Sequence, residues 1–349
     1  MWRGIIREFA EHLPPVGEDA VTTLLEGNTP LVEAVNLKDV TGRTRLFFKF
    51  EGLNPTGSFK DRGMTLAVSK AREEGSRAVI CASTGNTSAS AAAYASRAGM
   101  KAYVLVPEGN VALGKLSQAM IHGAMVLEVR GSFDDALAVV KEVTKNYPVT
   151  MVNSLNPYRI EGQKTAAFEV CEYLGYNPTH HFLPVGNAGN ITAYWKGYEE
   201  LRERRVVSES PRMMGFQAEG AAPIVRGEPV LNPKTVATAI KIGNPASWQG
   251  ALRAKEESGG VIDMVSDEEI LDAYRLVASR EGIFCEPASA ASLAGVIKMR
   301  KLSVLKDGDT AVCTLTGHGL KDPDCAIKVS VKPLSVSPDV KEIVRAMGF

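Results

Sequence analysis

Cysteine is scarce in this 349-residue chain, and its five cysteines, Cys81, Cys171, Cys285, Cys313 and Cys325, lie far apart with no Cys-x-x-Cys pair. That spacing suggests neither a disulfide framework nor a zinc site, so a reducing cytosol is the expected setting. Long apolar runs are missing as well. No stretch reaches the length that spans a bilayer, and Arg3, Arg7, Glu8 and Glu11 break up the N-terminal positions where a secretory leader needs a continuous apolar core. Cytoplasmic location is therefore expected. Net charge is absent too, because 40 basic and 40 acidic side chains cancel. Such a balance gives no electrostatic case for nucleic acid or an anionic membrane as the main partner. Fixed-period repeats and low-complexity runs are not found. What remains is an ordinary globular composition, 45% hydrophobic and 23% charged, in a chain long enough for two domains.

Apolar strands and helical patterns take turns from residue 59 onward. Helices are expected at 59–74, 87–97, 113–122 and 133–146, with strands at 78–82, 102–106, 125–129 and 149–152. The scheme repeats with helices at 158–174, 190–203, 245–257 and 266–280, a further helix starting at Pro287, and strands at 181–185, 213–218, 261–265 and 310–315. Alternation with nearly continuous apolar strands predicts α/β architecture, parallel sheets covered on both faces. Before residue 59 the patterns are weaker: a short helix at 4–12 stopped by Pro14-Pro15, and a hairpin-like region at 37–51. The tail beyond Val331 reads as peripheral.

One stretch organises the rest, Asn54-Pro55-Thr56-Gly57-Ser58-Phe59-Lys60-Asp61-Arg62-Gly63. Ser58 with Asp61 three residues on has the pattern of a capping box that opens a helix, which places Lys60 in the first helical turn. The positive end of the helix dipole disfavours a second positive charge there. A lysine partly neutral at pH 7 can attack a carbonyl and hold it as a Schiff base. The plainer reading is a solvated surface lysine, but the flanking residues leave little ordinary surface helix.

Two polar loops follow strands at the carboxyl side, where ligands sit in open α/β sheets. Ser83-Thr84-Gly85-Asn86-Thr87 combines backbone amides, a glycine and three hydroxyls into a receptor for a small anion, against the plainer reading of an elaborate N-cap. Gly186-Asn187-Ala188-Gly189-Asn190 has small residues that let amides close around a phosphate. Its spacing is not that of a dinucleotide-binding loop, and a monophosphate suits it better. Asn153, Ser154 and Arg159 form a third cluster. Arginine is suited to bidentate phosphate recognition, though a surface pairing of Arg159 with Glu161 or Glu169 fits the sequence equally well.

Two other patterns are set aside. Gly109-Asn110-Val111-Ala112-Leu113-Gly114-Lys115 has P-loop spacing, but Leu116 stands where the magnesium-binding hydroxyl must be. His180-His181 look metallic, yet neighbours on a strand point to opposite faces, so a half-buried strand start is expected and no metal site.

Taken together, 54–62, 83–87, 186–190 and Leu315-Thr316-Gly317-His318-Gly319-Leu320-Lys321-Asp322 resemble the fold-type II pyridoxal-phosphate enzymes, the group that includes tryptophan synthase β chains, cysteine synthases and threonine dehydratases. The resemblance runs from about residue 25 to about residue 323. It implies two open twisted α/β domains with the active site between them, a large cofactor-binding domain of 1–52 plus 156–349 and a smaller mobile one of 53–155. It also implies pyridoxal 5′-phosphate as cofactor, held by Lys60 and, at its phosphate, by Gly186, Asn187, Ala188, Gly189 and Asn190. Asn86 is then expected at the 3′-oxygen and Thr316 at the pyridine nitrogen, with Thr314 an ordinary strand residue. Ser83, Thr84 and Thr87 are expected at a substrate α-carboxylate, and Asn153, Ser154 and Arg159 at a substrate phosphate.

Within that group the motifs resemble most the branch that converts O-phospho-L-homoserine and water to L-threonine and phosphate, with Lys60 as base. A threonine or serine dehydratase is the close rival, and a catalytically silent ligand-binding protein on the same scaffold the distant one. The family further implies a homodimer. With no evident extra N-terminal domain to bind an activator, no allosteric control is expected.

Overall fold

The structure is a computed structural model and describes residues 1–108, 113–131 and 133–349. The P-loop-like run from Gly109 to Lys115 has its side chains outside that description. Strands in the described residues form two sheets. One contains Ala78–Ala82 (β3), Lys101–Pro107 (β4), Met125–Val129 (β5) and Val149–Met151 (β6), in the order β5-β4-β3-β6 and parallel throughout. The other contains Leu31–Glu33 (β1), Arg45–Phe50 (β2), His180–Pro184 (β7), Arg212–Ala218 (β8), Val261–Val265 (β9) and Thr310–Leu315 (β10), ordered β1-β2-β10-β7-β8-β9. Only the β1–β2 pair is antiparallel among these described strands.

The apolar runs behave as parallel strands should. Every residue of β3, β7 and β10 is buried, because helices cover both faces of each sheet. Phe48, Phe182, Phe216 and Leu293 pack on one side of the six-stranded sheet. Leu183, Tyr194, Trp195, Tyr198 and Phe168 pack on the other.

Three expectations need correction. The hairpin expected within 37–51 lies elsewhere: Leu31 pairs with Lys49 and Glu33 with Phe47. The intervening residues form the short helix Lys38–Thr41, tied down by buried Leu37 and closed at Gly42, whose φ of 64° suits glycine. The helix expected at 245–257 begins only at Trp248. Residues 246 and 247 are engaged otherwise, since Ala246 N donates to Asn187 Oδ1 at 3.2 Å and Ser247 N to Asn187 O at 3.1 Å. His180 and His181 are both fully buried rather than half-buried. His181 bonds Tyr198 Oη at 2.6 Å and Thr314 Oγ1 at 2.8 Å, and burial pushes its imidazole down to about 3. The described residues contain no cluster able to hold a metal ion.

Strand direction gathers the polar segments. Ser83 follows β3, Gly186 follows β7 and Thr316 follows β10, all at carboxyl ends, the edge where open parallel sheets place their ligands.

Candidate active site

The Lys60 stretch is held against the 315–322 segment by backbone bonds. Phe59 N donates to Thr316 O at 3.0 Å, and His318 N donates to Gly57 O at 2.9 Å. Ser58 and Gly317 form an antiparallel bridge between these bonds. The helix Lys60–Glu73 starts directly after, so Lys60 is its first residue. The capping box expected there does not form. Asp61 turns back instead, accepting from Thr56 N at 2.7 Å, Thr56 Oγ1 at 2.6 Å and Ser90 Oγ at 2.6 Å. The Thr56 and Ser90 hydroxyls both satisfy Oδ1 and the Thr56 amide satisfies Oδ2, so the buried carboxylate is fully engaged away from Ser58.

Burial pushes the Lys60 amine down to about 7; the charge of Arg159 pushes the same way and Glu286 opposes. The amine lies 4.2 Å over the Phe59 ring. An amine that is half neutral at pH 7 is a nucleophile and a base.

Two glycines bring Lys60 and Arg159 together. The Lys60 helix crosses the helix Pro157–Leu174 so closely that a Cβ on Gly162 would stand 2.0 Å from Arg62 O, and one on Gly63 would stand 2.6 Å from Arg159 O. Arg62 locks this crossing. Its guanidinium meets Glu51 Oε2 at 2.7 Å and Glu169 Oε1 at 2.6 Å, and Lys49 Nζ reaches Glu169 Oε2 at 2.6 Å. Burial works to raise Glu169, but Arg62 and Lys49 outweigh it and hold the carboxyl at about 2. Sequence reasoning missed this hub, whose members are spread from residue 49 to residue 169.

Arg159 is itself 1% exposed. Its Nη1 donates to Val152 O at 2.7 Å, while Nε has no partner. No carboxylate among the described residues is within ion-pair distance of it; Glu161 and Glu169 pair with Lys164, Lys196, Arg62 and Lys49 instead. The surface reading of Arg159 is thus overturned. Burial lowers its guanidinium to about 10, the condition of a cation short of an anion.

Ser83, Thr84, Asn86 and Thr87 are half-buried. The helix Asn86–Arg97 has Gly85 at its N-cap and no side-chain cap, so its first amides are not spent in the way the plainer reading required. Asn153 serves this loop from beside it, with Oδ1 accepting from Ala82 N and Nδ2 donating to Ala82 O, each at 3.0 Å. Ser154 is half-buried in the turn that follows.

The 186–190 loop forms a cup. Ala188 takes a left-handed φ of 64°, which turns successive amides the same way. A Cβ on Gly186 would stand 2.9 Å from Ile240 Cα. Asn187 is tied to residues 246 and 247 as described, and Gly189 opens the helix Gly189–Glu203 without a side-chain cap. Asn190 Nδ2 is buried without a partner. A buried donor left unpaired costs about 1–3 kcal/mol, a cost that an acceptor bound there would remove.

The structure adds Glu286, which sequence reasoning overlooked. Asn86 Nδ2 donates to Glu286 Oε2 at 2.9 Å, and Thr316 Oγ1 lies 2.9 Å from Glu286 Oε1. Burial raises this carboxyl, against hydrogen bonds from Asn86 and Thr316 and the charges of Lys321 and Lys60. A signal was present: Glu286 stands directly before Pro287 at a helix start, where an N-cap favours Ser, Thr, Asp or Asn.

Residues 22–317 match the family model described as pyridoxal-phosphate dependent enzyme. A threonine synthase from Synechocystis is 56% identical, over 100% of this chain and 91% of its own length. Another from Mycobacterium tuberculosis is 57% identical, over 97% of this chain and 94% of its own. Among solved structures, the processed form of threonine deaminase isoform 2 from Solanum lycopersicum superposes with a TM-score of 0.75 at 22% identity, over 89% of this chain and 90% of that one, a likeness of fold.

Proposed function

The chain belongs to the pyridoxal-phosphate dependent enzymes, and from that premise we propose that it carries out the threonine synthase reaction, turning O-phospho-L-homoserine and water into L-threonine and phosphate. The residues fit the cofactor. Lys60 offers a partly neutral amine, the cup at 186–190 offers the unpartnered Asn190 amide to a phosphate, and Asn86 with Thr316 offers polar groups to a ring's oxygen and nitrogen. When bound, pyridoxal phosphate supplies an electron sink for the negative charge left at the substrate Cα.

The chain's residues do the rest. Ser83, Thr84 and Thr87 hold the substrate α-carboxylate at the uncapped helix start. Lys60 Nζ takes the Cα proton and is the natural carrier for later proton transfers. We assign Arg159 and Ser154 to the substrate phosphate, which leaves as inorganic phosphate. Asn153 acts through the Ala82 backbone rather than on the phosphate.

Arg159 is the observation that carries the substrate choice. A buried guanidinium with no carboxylate in ion-pair distance among the described residues, Asp61 acting on it only from farther off, calls for an anion beyond the carboxylate that every amino acid brings, and a γ-phosphate is one. Incubating the enzyme with O-phosphohomoserine should release phosphate and L-threonine in equal amounts. Formation of 2-oxobutanoate from L-threonine, with phosphohomoserine left intact, would show a dehydratase and sink the proposal. The cytoplasmic setting and the homodimer belong to the same proposal. No helix of the described residues is long and apolar enough to cross a membrane, and sedimentation at micromolar concentration tests the dimer.

A further inference from the structure

Four groups form a hydrogen-bonded chain around Thr316. Gly317 N donates to Ser289 Oγ at 3.2 Å, Ser289 Oγ lies 2.9 Å from Thr316 Oγ1, and Thr316 Oγ1 lies 2.9 Å from Glu286 Oε1. Ser289 Oγ accepts from Gly317, and either hydroxyl can be the donor across the Ser289–Thr316 contact; in one of the two arrangements Ser289 donates to Thr316. Thr316 then has a single proton left to give. If Glu286 is ionised it can only accept, and the Thr316 proton is used up on Oε1. If Glu286 is a carboxylic acid, Oε1 donates to Thr316 and the Thr316 proton is free for a ligand.

Glu286 has the surroundings of an acid held neutral. It is 4% exposed, its two contacts are the neutral Asn86 and Thr316 side chains, and it forms no ion pair among the described residues. Lys60 and Lys321 face it from farther away, as does the Cys285 thiol on its own segment. The carboxyl fits because Gly317 has no side chain: a Cβ there would stand 2.5 Å from Glu286 Cδ.

We infer that Glu286 is a positioning residue which, as a neutral acid, donates to Thr316 and so leaves the Thr316 hydroxyl free to donate to the cofactor's ring nitrogen. The same carboxyl group holds the Asn86 amide through Oε2, so one side chain aligns both ring contacts, one carried by each sheet. The upward pull of burial on this carboxyl agrees with that state. The inference rests on the pyridoxal phosphate reading given above.

The test measures pyridoxal phosphate affinity and the visible absorption maximum of the bound cofactor. Wild type, Glu286→Gln, Glu286→Ala and each Glu286 change in a Thr316→Val background are compared, with thermal denaturation confirming that each is folded. Gln reproduces the neutral acid, since its amide N–H donates to Thr316 and its carbonyl accepts from Asn86. Glu286→Gln should bind within about threefold of wild type with an unmoved absorption maximum, and Glu286→Ala should bind about tenfold more weakly. In the Thr316→Val background the difference between Gln and Ala should shrink to less than about twofold. A tenfold loss in Glu286→Gln, full affinity in Glu286→Ala, or an undiminished Gln–Ala difference without the Thr316 hydroxyl would each overturn the inference. A wild-type protein that takes up no pyridoxal phosphate would instead fail the cofactor reading and this inference with it.

Discussion

Asn153 grips Ala82 by both of its backbone polar groups, its amide accepting from the Ala82 N–H and donating to the Ala82 carbonyl, each at 3.0 Å. This ties the segment after β6 to the carboxyl end of β3, directly before the Ser83 loop. Oδ1 and one N–H of the amide are engaged there, and the expected effect on substrate runs through the loop. Asn153→Ala should leave two buried backbone groups unpaired, costing about 1–3 kcal/mol of stability. Affinities for O-phosphohomoserine and for L-threonine should fall by the same factor, because the loop is proposed to hold the α-carboxylate of both ligands. A loss confined to the phosphorylated ligand, in a direct binding measurement, would return Asn153 to the phosphate.

Lys60→Ala should lower turnover by at least about a thousandfold, and borohydride treatment of the variant with pyridoxal phosphate should label no peptide at that position. The pH dependence carries more information. An amine at about 7 is protonated below that pH and neutral above it, so the rate of cofactor capture should climb through pH 7 and level off by about pH 8. An unperturbed lysine, near 10.4, would still be climbing at pH 9. Stopped-flow absorbance separates the two.

Gly186→Ala places a methyl group 2.9 Å from Ile240 Cα and 3.3 Å from Ala239 O. Backbone atoms yield little, so the cup must shift. Pyridoxal phosphate affinity should fall about tenfold or more, while binding of a phosphate-free pyridoxal, measured by the same absorbance titration, should fall less. Equal losses would mean that the loop does not hold the phosphate.

Arg62→Leu strands Glu51 and Glu169 inside the protein, with only Lys49 near Glu169. The expected cost is about 3–5 kcal/mol, read from the denaturant midpoint followed by tryptophan fluorescence. Arg62→Lys keeps a charge but cannot fork between two carboxylates, so it should fall between wild type and Leu. The Lys60 helix loosens with the hub, and the Lys variant should therefore move the pH at which cofactor capture levels off. An unchanged midpoint in Arg62→Leu would show that the carboxylates find other partners.

Much of this protein was legible from its sequence. Hydrophobic period and chain punctuation are local properties, and they located β3, β5, β9 and β10 at their observed bounds. Ser266 with Glu269 forms a capping box at the start of its helix, whereas Ser58 with Asp61 does not, because Thr56 and Ser90 are better placed for that carboxylate. The polar loops could be picked out as candidate ligand loops because they follow the carboxyl ends of parallel strands, the edge where open parallel sheets place their ligands. Only the folded chain decided what each side chain does there. Lys60 owes its neutral fraction to burial and to Arg159, ninety-nine positions away, through a helix crossing that two glycines allow. Glu286 meets Asn86 across two hundred residues. No periodicity encodes such meetings, since they depend on how two sheets lie against each other, and that is set by the sum of the packing rather than by any one stretch.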